Sequence, residues 1–192
     1  GETGKKAIIM ITSNRGLAGG YNANVIKLIT RDPEFTPDNT VIYAIGKKGK
    51  DAMSRAGYGI MEDFSESIEE PVYQDAMKIT SELLQEFEKG EISEIYLAYT
   101  FFKNTVSHIP TLLKLLPVDL EKTAPVGNDA EEAKEKPKAE APMNFEPEDE
   151  EALNLIIPKY MNSLIFGGLV EAIASENGAR MQAMDSATNN AT

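Results

Sequence analysis

The sequence predicts an α/β domain, with a mostly parallel sheet, flanking helices and an antiparallel edge, followed by a long C-terminal helix. Three observations predict it. Apolar, β-branched runs at 7–12, 40–45 and 92–102 alternate with segments of helical period. A Pro-, Ala- and Glu-rich stretch at 121–142 interrupts that alternation, and about forty residues from Glu148 onward keep a helical period. Strand–helix alternation of this kind implies a sheet covered by helices. The expected organisation is an α/β core over 1–120, a flexible acidic loop over 121–142, and a final strand leading into the long helix over 143–192.

The first strand is Ala7 to Thr12, AIIMIT, a continuous apolar run suited to a buried central strand. A turn rich in Ser, Asn and Gly follows. Leu17, Tyr21, Val25 and Leu28 then recur at helical spacing, and the helix ends near Arg31, before Asp32-Pro33. Thr40 to Ile45 is strand-like by its branched and aromatic content. GKKGKDAMSRAG supplies a Gly-led turn and a short helix ending at Gly57, with a weak strand over Tyr58 to Met61.

Pro71 suits a first helical turn, and Val72, Ala76, Ile79, Leu83 and Phe87 form the stripe of the next helix. Gly90 stops it. Ile92 to Phe102 is a strong strand, and Pro110 and Pro117 assign its partner segment to an edge.

Residues 121–142 hold one sizeable apolar group, Val126, too little to offset the entropy of ordering. Beyond, Glu148 to Glu151 suit the positive end of a helix, and Leu153, Ile157, Tyr160 and Leu164 mark one face. Pro158 either kinks that helix or restarts it. Val170, Ala174, Asn177, Met181, Met184, Thr188 and Ala191 are spaced 4, 3, 4, 3, 4, 3, a heptad seam. A helix over 159–191 runs roughly 50 Å, longer than a domain this size is wide. The seam therefore calls for a partner helix, cut away or belonging to another chain; the absent initiator methionine agrees with an excised piece.

Composition narrows function. The 192 residues carry a net charge of −12, of which −7 falls between Asp129 and Glu151. Such a chain is a poor candidate for generic binding to nucleic acid or an anionic membrane, which need a positive field, but the rest is only mildly acidic and net charge says little about partners. It contains no cysteine and one histidine, His108, which removes thiol chemistry and histidine metal clusters. No apolar run approaches the roughly 20 residues of a spanning helix.

TSNRGLAGG, between the first strand and helix, invites a phosphate-loop reading, with Gly16, Gly19 and Gly20 exposing backbone N–H groups. It matches neither GxxxxGK[ST] nor GxGxxG, and a tight turn explains it more economically. The alternative it keeps open is a small nucleotide-binding enzyme or sensor. Arg15 in the same turn suits a salt bridge or a phosphate. GKKGK presents Lys47, Lys48 and Lys50, either a solvated helix start or a surface for an acidic partner. Glu176 and Arg180 form an i,i+4 pair, and Arg180 beside the seam also suits acidic groups on a surrounding protein. No residues assemble a catalytic site, and no cofactor is expected.

Two blocks far apart carry a resemblance. ITSNRGLAGGYNANVIK at 11–27 and ASENGARMQAMDSATNNA at 174–191 resemble segments of the gamma subunit of F-type ATP synthases; KNTVSHIPTLLKLLP and FEPEDEEALNLIIPKY match its middle. The resemblance implies a Rossmann-like α/β domain carrying the base of a long C-terminal coiled-coil helix. It also implies a non-catalytic rotor in the central stalk of the F1 sector. Its partners would be the epsilon subunit, the membrane c-ring and the alpha/beta hexamer, at the cytoplasmic face of the membrane. On that basis Arg180, Met181 and Met184 are candidate subunit contacts, the two methionines as coiled-coil packing, and Lys47, Lys48 and Lys50 are weaker ones. The family turn usually has Asp where this chain has Asn14 and often Cys where it has Ala18.

Overall fold

The computed structural model describes residues 4–17, 19–118 and 150–191. Both the 121–142 loop and the strand expected from 143 fall outside these.

Five strands form one sheet in the order β3-β2-β1-β4-β5: β1 Lys5–Ile11, β2 Thr40–Ile45, β3 Gly59–Asp63, β4 Ile92–Phe102 and β5 His108–Leu116. The first four are mutually parallel, and β5 closes one edge antiparallel to β4. Pro110 lies opposite Thr100 in that edge strand, where a missing N–H need not break a ladder on both sides.

Each strand alternates its side chains between two cores, as the period of two requires. Ile8, Met10, Ile42, Ala44 and Ala98 face α1 (Tyr21–Thr30) and α2 (Lys47–Arg55), meeting Val25, Ile29 and Met53. Ala7, Ile9, Ile11, Tyr43, Ile45, Ile95 and Leu97 face α3 (Tyr73–Glu88) and the long helix α4 (Glu150–Ala191). Residues Ala7 to Ile11 are at most 1% exposed, because the central strand has a helix layer over each face. Lys5 and Lys6 extend β1 beyond the apolar run, with Lys6 reaching Glu94 (3.8 Å) and lying over the Phe35 ring.

Several boundaries shift for local reasons. Helix α1 starts at Tyr21, so Leu17 belongs to the preceding turn, and Ile29 rather than Leu28 completes the Tyr21–Val25 stripe. Val72 is the N-cap of α3 and 44% exposed rather than core; its N–H is accepted by Asp75 (3.4 Å). Gly90, at φ +79°, ends the helix as expected.

Pro158 neither ends nor restarts α4: the helix is continuous over 42 residues, about 63 Å at 1.5 Å per residue. Its core face is Met161, Ile165, Leu169 and Ala172, all 0% exposed, with Ile157, Tyr160 and Leu164 beside them.

Candidate functional site

The ligand crevice of an open parallel sheet lies at the carboxyl ends of its strands, where the chain order reverses. Here that point is between β1 and β4, and the chain's own elements fill it. Tyr21 lies edge-on to His108, and its hydroxyl donates to the Ala172 carbonyl of α4 (2.7 Å). Burial pushes the Tyr21 pKa up, so the phenol stays a donor. The Phe102 N–H donates to Glu171 Oε2 (3.0 Å), and Ser175 Oγ donates to the Thr100 carbonyl (3.4 Å). The Tyr99 phenol is pushed up to about 12 by burial, with the Glu171 charge adding to it.

Glycines bring α4 close. A Cβ at Gly168 would meet Leu97 Cδ2 at 2.9 Å, and one at Gly178 would meet His108 Cε1 at 3.1 Å.

The glycine turn directs its polar groups inward. At the start of α2 the Lys47 N–H donates to Asn14 Oδ1 (3.0 Å), the Lys48 N–H to the Ser13 carbonyl (3.1 Å) and the Gly49 N–H to Thr12 Oγ1 (2.8 Å). The first three N–H groups of α2 are thus already bonded within the chain. Ser13 and Asn22 bond each other twice, from the Ser13 N–H (3.0 Å) and from Asn22 Nδ2 (2.8 Å).

Asn14 also donates to the Ser65 carbonyl (3.0 Å) and to Glu69 Oε1 (2.7 Å). An amide can accept and donate at once; an aspartate at 14 would face Glu69 with like charge.

GKKGK owes more to its glycines than to its lysines. Gly46 sits at φ +111°, and a Cβ there would lie 2.1 Å from the Thr12 carbonyl oxygen. Lys47, Lys48 and Arg15 are all exposed. Lys50 instead pairs with Asp63 (3.0 Å). Partial burial pushes the Asp63 carboxyl up, but hydrogen bonds from Ser65 and Lys50 outweigh it and hold its pKa below the usual range.

The remaining sequence candidates lie on the distal part of α4. Arg180 bonds Glu176 (3.2 Å). Met181 and Met184 are 58% and 67% exposed, and Val170 is 46% exposed. Val170, Ala174, Asn177, Met181 and Met184 lie on one side of the helix, roughly opposite Met161, Ile165, Ala172 and Ser175 at 3.6 residues per turn. The structure therefore separates the candidates into an apolar helix stripe and a basic helix start. What sequence reading missed were the ties of Tyr21, Asn14, Glu171 and Ser175, whose partners are distant in the chain.

Among the described residues no group of three His, Asp or Glu side chains could hold a metal, and no helix is long and apolar enough to cross a membrane.

A sheet whose crevice is closed by its own helix, with that helix running on past the domain, defines a scaffold carrying a protruding arm. The family model described as ATP synthase matches residues 1–192. The ATP synthase gamma chain of Lachnoclostridium phytofermentans is 59% identical over 191 residues, covering 100% of this chain and 64% of that relative. The sodium-ion-specific gamma chain of Acetobacterium woodii is 37% identical over 197 residues, covering 99% of this chain and 65% of that one. In the solved central stalk and c-ring of Tetrahymena thermophila mitochondrial ATP synthase, a chain 23% identical superposes with a TM-score of 0.66 over 96% of this chain and 76% of its own length. The Euglena gracilis mitochondrial rotor gives 0.65 at 16% identity, over 98% of this chain and 68% of that one. The chain belongs to the ATP synthase gamma-chain family, and spans 64% of the length of the first relatives it matches.

Proposed function

We propose that this chain forms part of the central stalk of a rotary ATP synthase, a non-catalytic element transmitting rotation between an ion-driven membrane c-ring and the alpha/beta hexamer. The observation that carries the reading is the division of α4 into two faces: one docked on the sheet, the other an exposed heptad stripe through Met181 and Met184. Such a stripe gains stiffness only when a second helix pairs with it, and a torque-bearing shaft needs stiffness.

Met181 and Met184 then pack in the coiled coil, while Arg180, oriented by Glu176, meets acidic groups of the surrounding hexamer. Lys47 and Lys48 offer free positive charge to an acidic element of epsilon or the c-ring. Lys50 is the weaker contact, because Asp63 already answers its charge. Membrane association is peripheral, through the complex, at the cytoplasmic face.

Calorimetry of the chain against the epsilon subunit, and separately against ATP and ADP, tests the reading. Saturable heat with epsilon and none with nucleotide is expected. Micromolar nucleotide binding without epsilon binding would instead make the glycine turn a phosphate site and overturn the rotor assignment.

A further inference from the structure

The docked part of α4 is held in two different ways. Over Met161 to Leu169 the contact is mainly apolar, against α3 and β4, with Asn162 the buried polar residue among them. Apolar burial is non-directional and tolerates small rotations of a helix about its own axis. Over Glu171 to Ser175 the helix instead makes three hydrogen bonds to other elements, and each involves a backbone group. Glu171 accepts the Phe102 N–H, the Ala172 carbonyl accepts the Tyr21 hydroxyl, and Ser175 donates to the Thr100 carbonyl. They come from two sides, α1 and β4, within little more than one turn. Hydrogen bonds weaken steeply when misaligned, so this set defines one rotational setting of the helix. Among the described residues of α4, Gly178 is the last that is buried; the ties therefore stand where the helix leaves the domain.

We propose that Tyr21, Glu171 and Ser175 are positioning residues that clamp the azimuth of α4 at its exit and so aim the Met181/Met184 stripe. This deepens, and rests on, the central-stalk reading: rotation of the sheet domain passes to the shaft through this clamp rather than through the apolar contact below it.

The chain contains no cysteine, so paired spin labels can be placed cleanly at exposed Gln85→Cys on α3 and exposed Asn177→Cys on α4, just beyond the three ties. The parent chain should give one narrow distance distribution. Glu171→Ala combined with Tyr21→Phe should broaden it, whereas Glu171→Gln, whose amide oxygen still accepts the Phe102 N–H, should keep it narrow. Leu169→Ala should lower the melting temperature without broadening the distance, which a merely structural role would not produce. If the double variant does not fold, Glu171→Ala against Glu171→Gln decides. An unchanged width in Glu171→Ala, or equal broadening in Leu169→Ala, overturns the clamp. Failure of the stalk reading shows separately, as absent epsilon binding with the narrow distance intact.

Discussion

The two ends of α4 belong to one uninterrupted helix yet are stabilised by different means. From Met161 to Gly178 it lies on the sheet, with Met161, Ile165, Leu169, Ala172 and Ser175 fully buried. From Met181 onward the described side chains are mostly exposed, and Thr188 Oγ1 donates within the helix to the Met184 carbonyl (2.9 Å). A helix of that length without tertiary packing is marginal in water. The comparison teaches that the distal half carries an apolar stripe that the described residues of the sheet domain do not cover.

Substitutions can break this contrast. Leu169→Ala should produce the largest loss, about 2–5 kcal/mol by urea denaturation, through lost burial and the cavity left behind. Next, Gly168→Val should cost about 1–3 kcal/mol, because its first side-chain carbon would press on Leu97. The neighbouring Gly167 has open space, so Gly167→Ala should stabilise the chain by up to about 1 kcal/mol. Opposite signs at adjacent glycines would be a sharp mark of the docked face. Met184→Ala should change the stability of the chain alone by less than about 0.5 kcal/mol, yet weaken its assembly into a complex.

Acid should act on the sheet domain rather than on the arm. Asp63 and Glu94 have depressed pKa values: burial opposes ionisation of both, and bonds from Ser65 and Lys50, or from Tyr96 and Lys114, overcome it. Their contribution is complete above the ordinary carboxylate value of about 4 and is lost as pH falls through the depressed values. Asp63→Asn should therefore flatten the acid limb of stability against pH in thermal melts, with a small loss near neutrality that vanishes as the pH falls through the depressed value.

Strands β2 and β4 were legible to their end residues, because a continuous branched and aromatic run between turn signals leaves little choice. The edge position of β5 was legible from Pro110. The docked face of α4 was legible only in part, through Ile157, Tyr160 and Leu164. Its contact positions include Gly168, Ala172, Ser175 and Gly178, small residues that enter a core because they allow close approach rather than because they are apolar. The stripe the sequence did display, through Met181 and Met184, is the opposite face.

GKKGK was similarly ambiguous. Its lysines suggested a charged surface, while Gly46 and Gly49 are fixed by the approach of Thr12. Tyr21 pairs with a carbonyl 151 residues away, a distance over which no local pattern carries information.

Hydrogen exchange, read along α4 in the chain alone and in assembled ATP synthase, tests the central claim most directly. Slow exchange over 161–176 in both states, with 181–190 fast alone and slow only on assembly, is the predicted result. Strong protection of 181–190 in the isolated monomer, or none on assembly, would contradict the account.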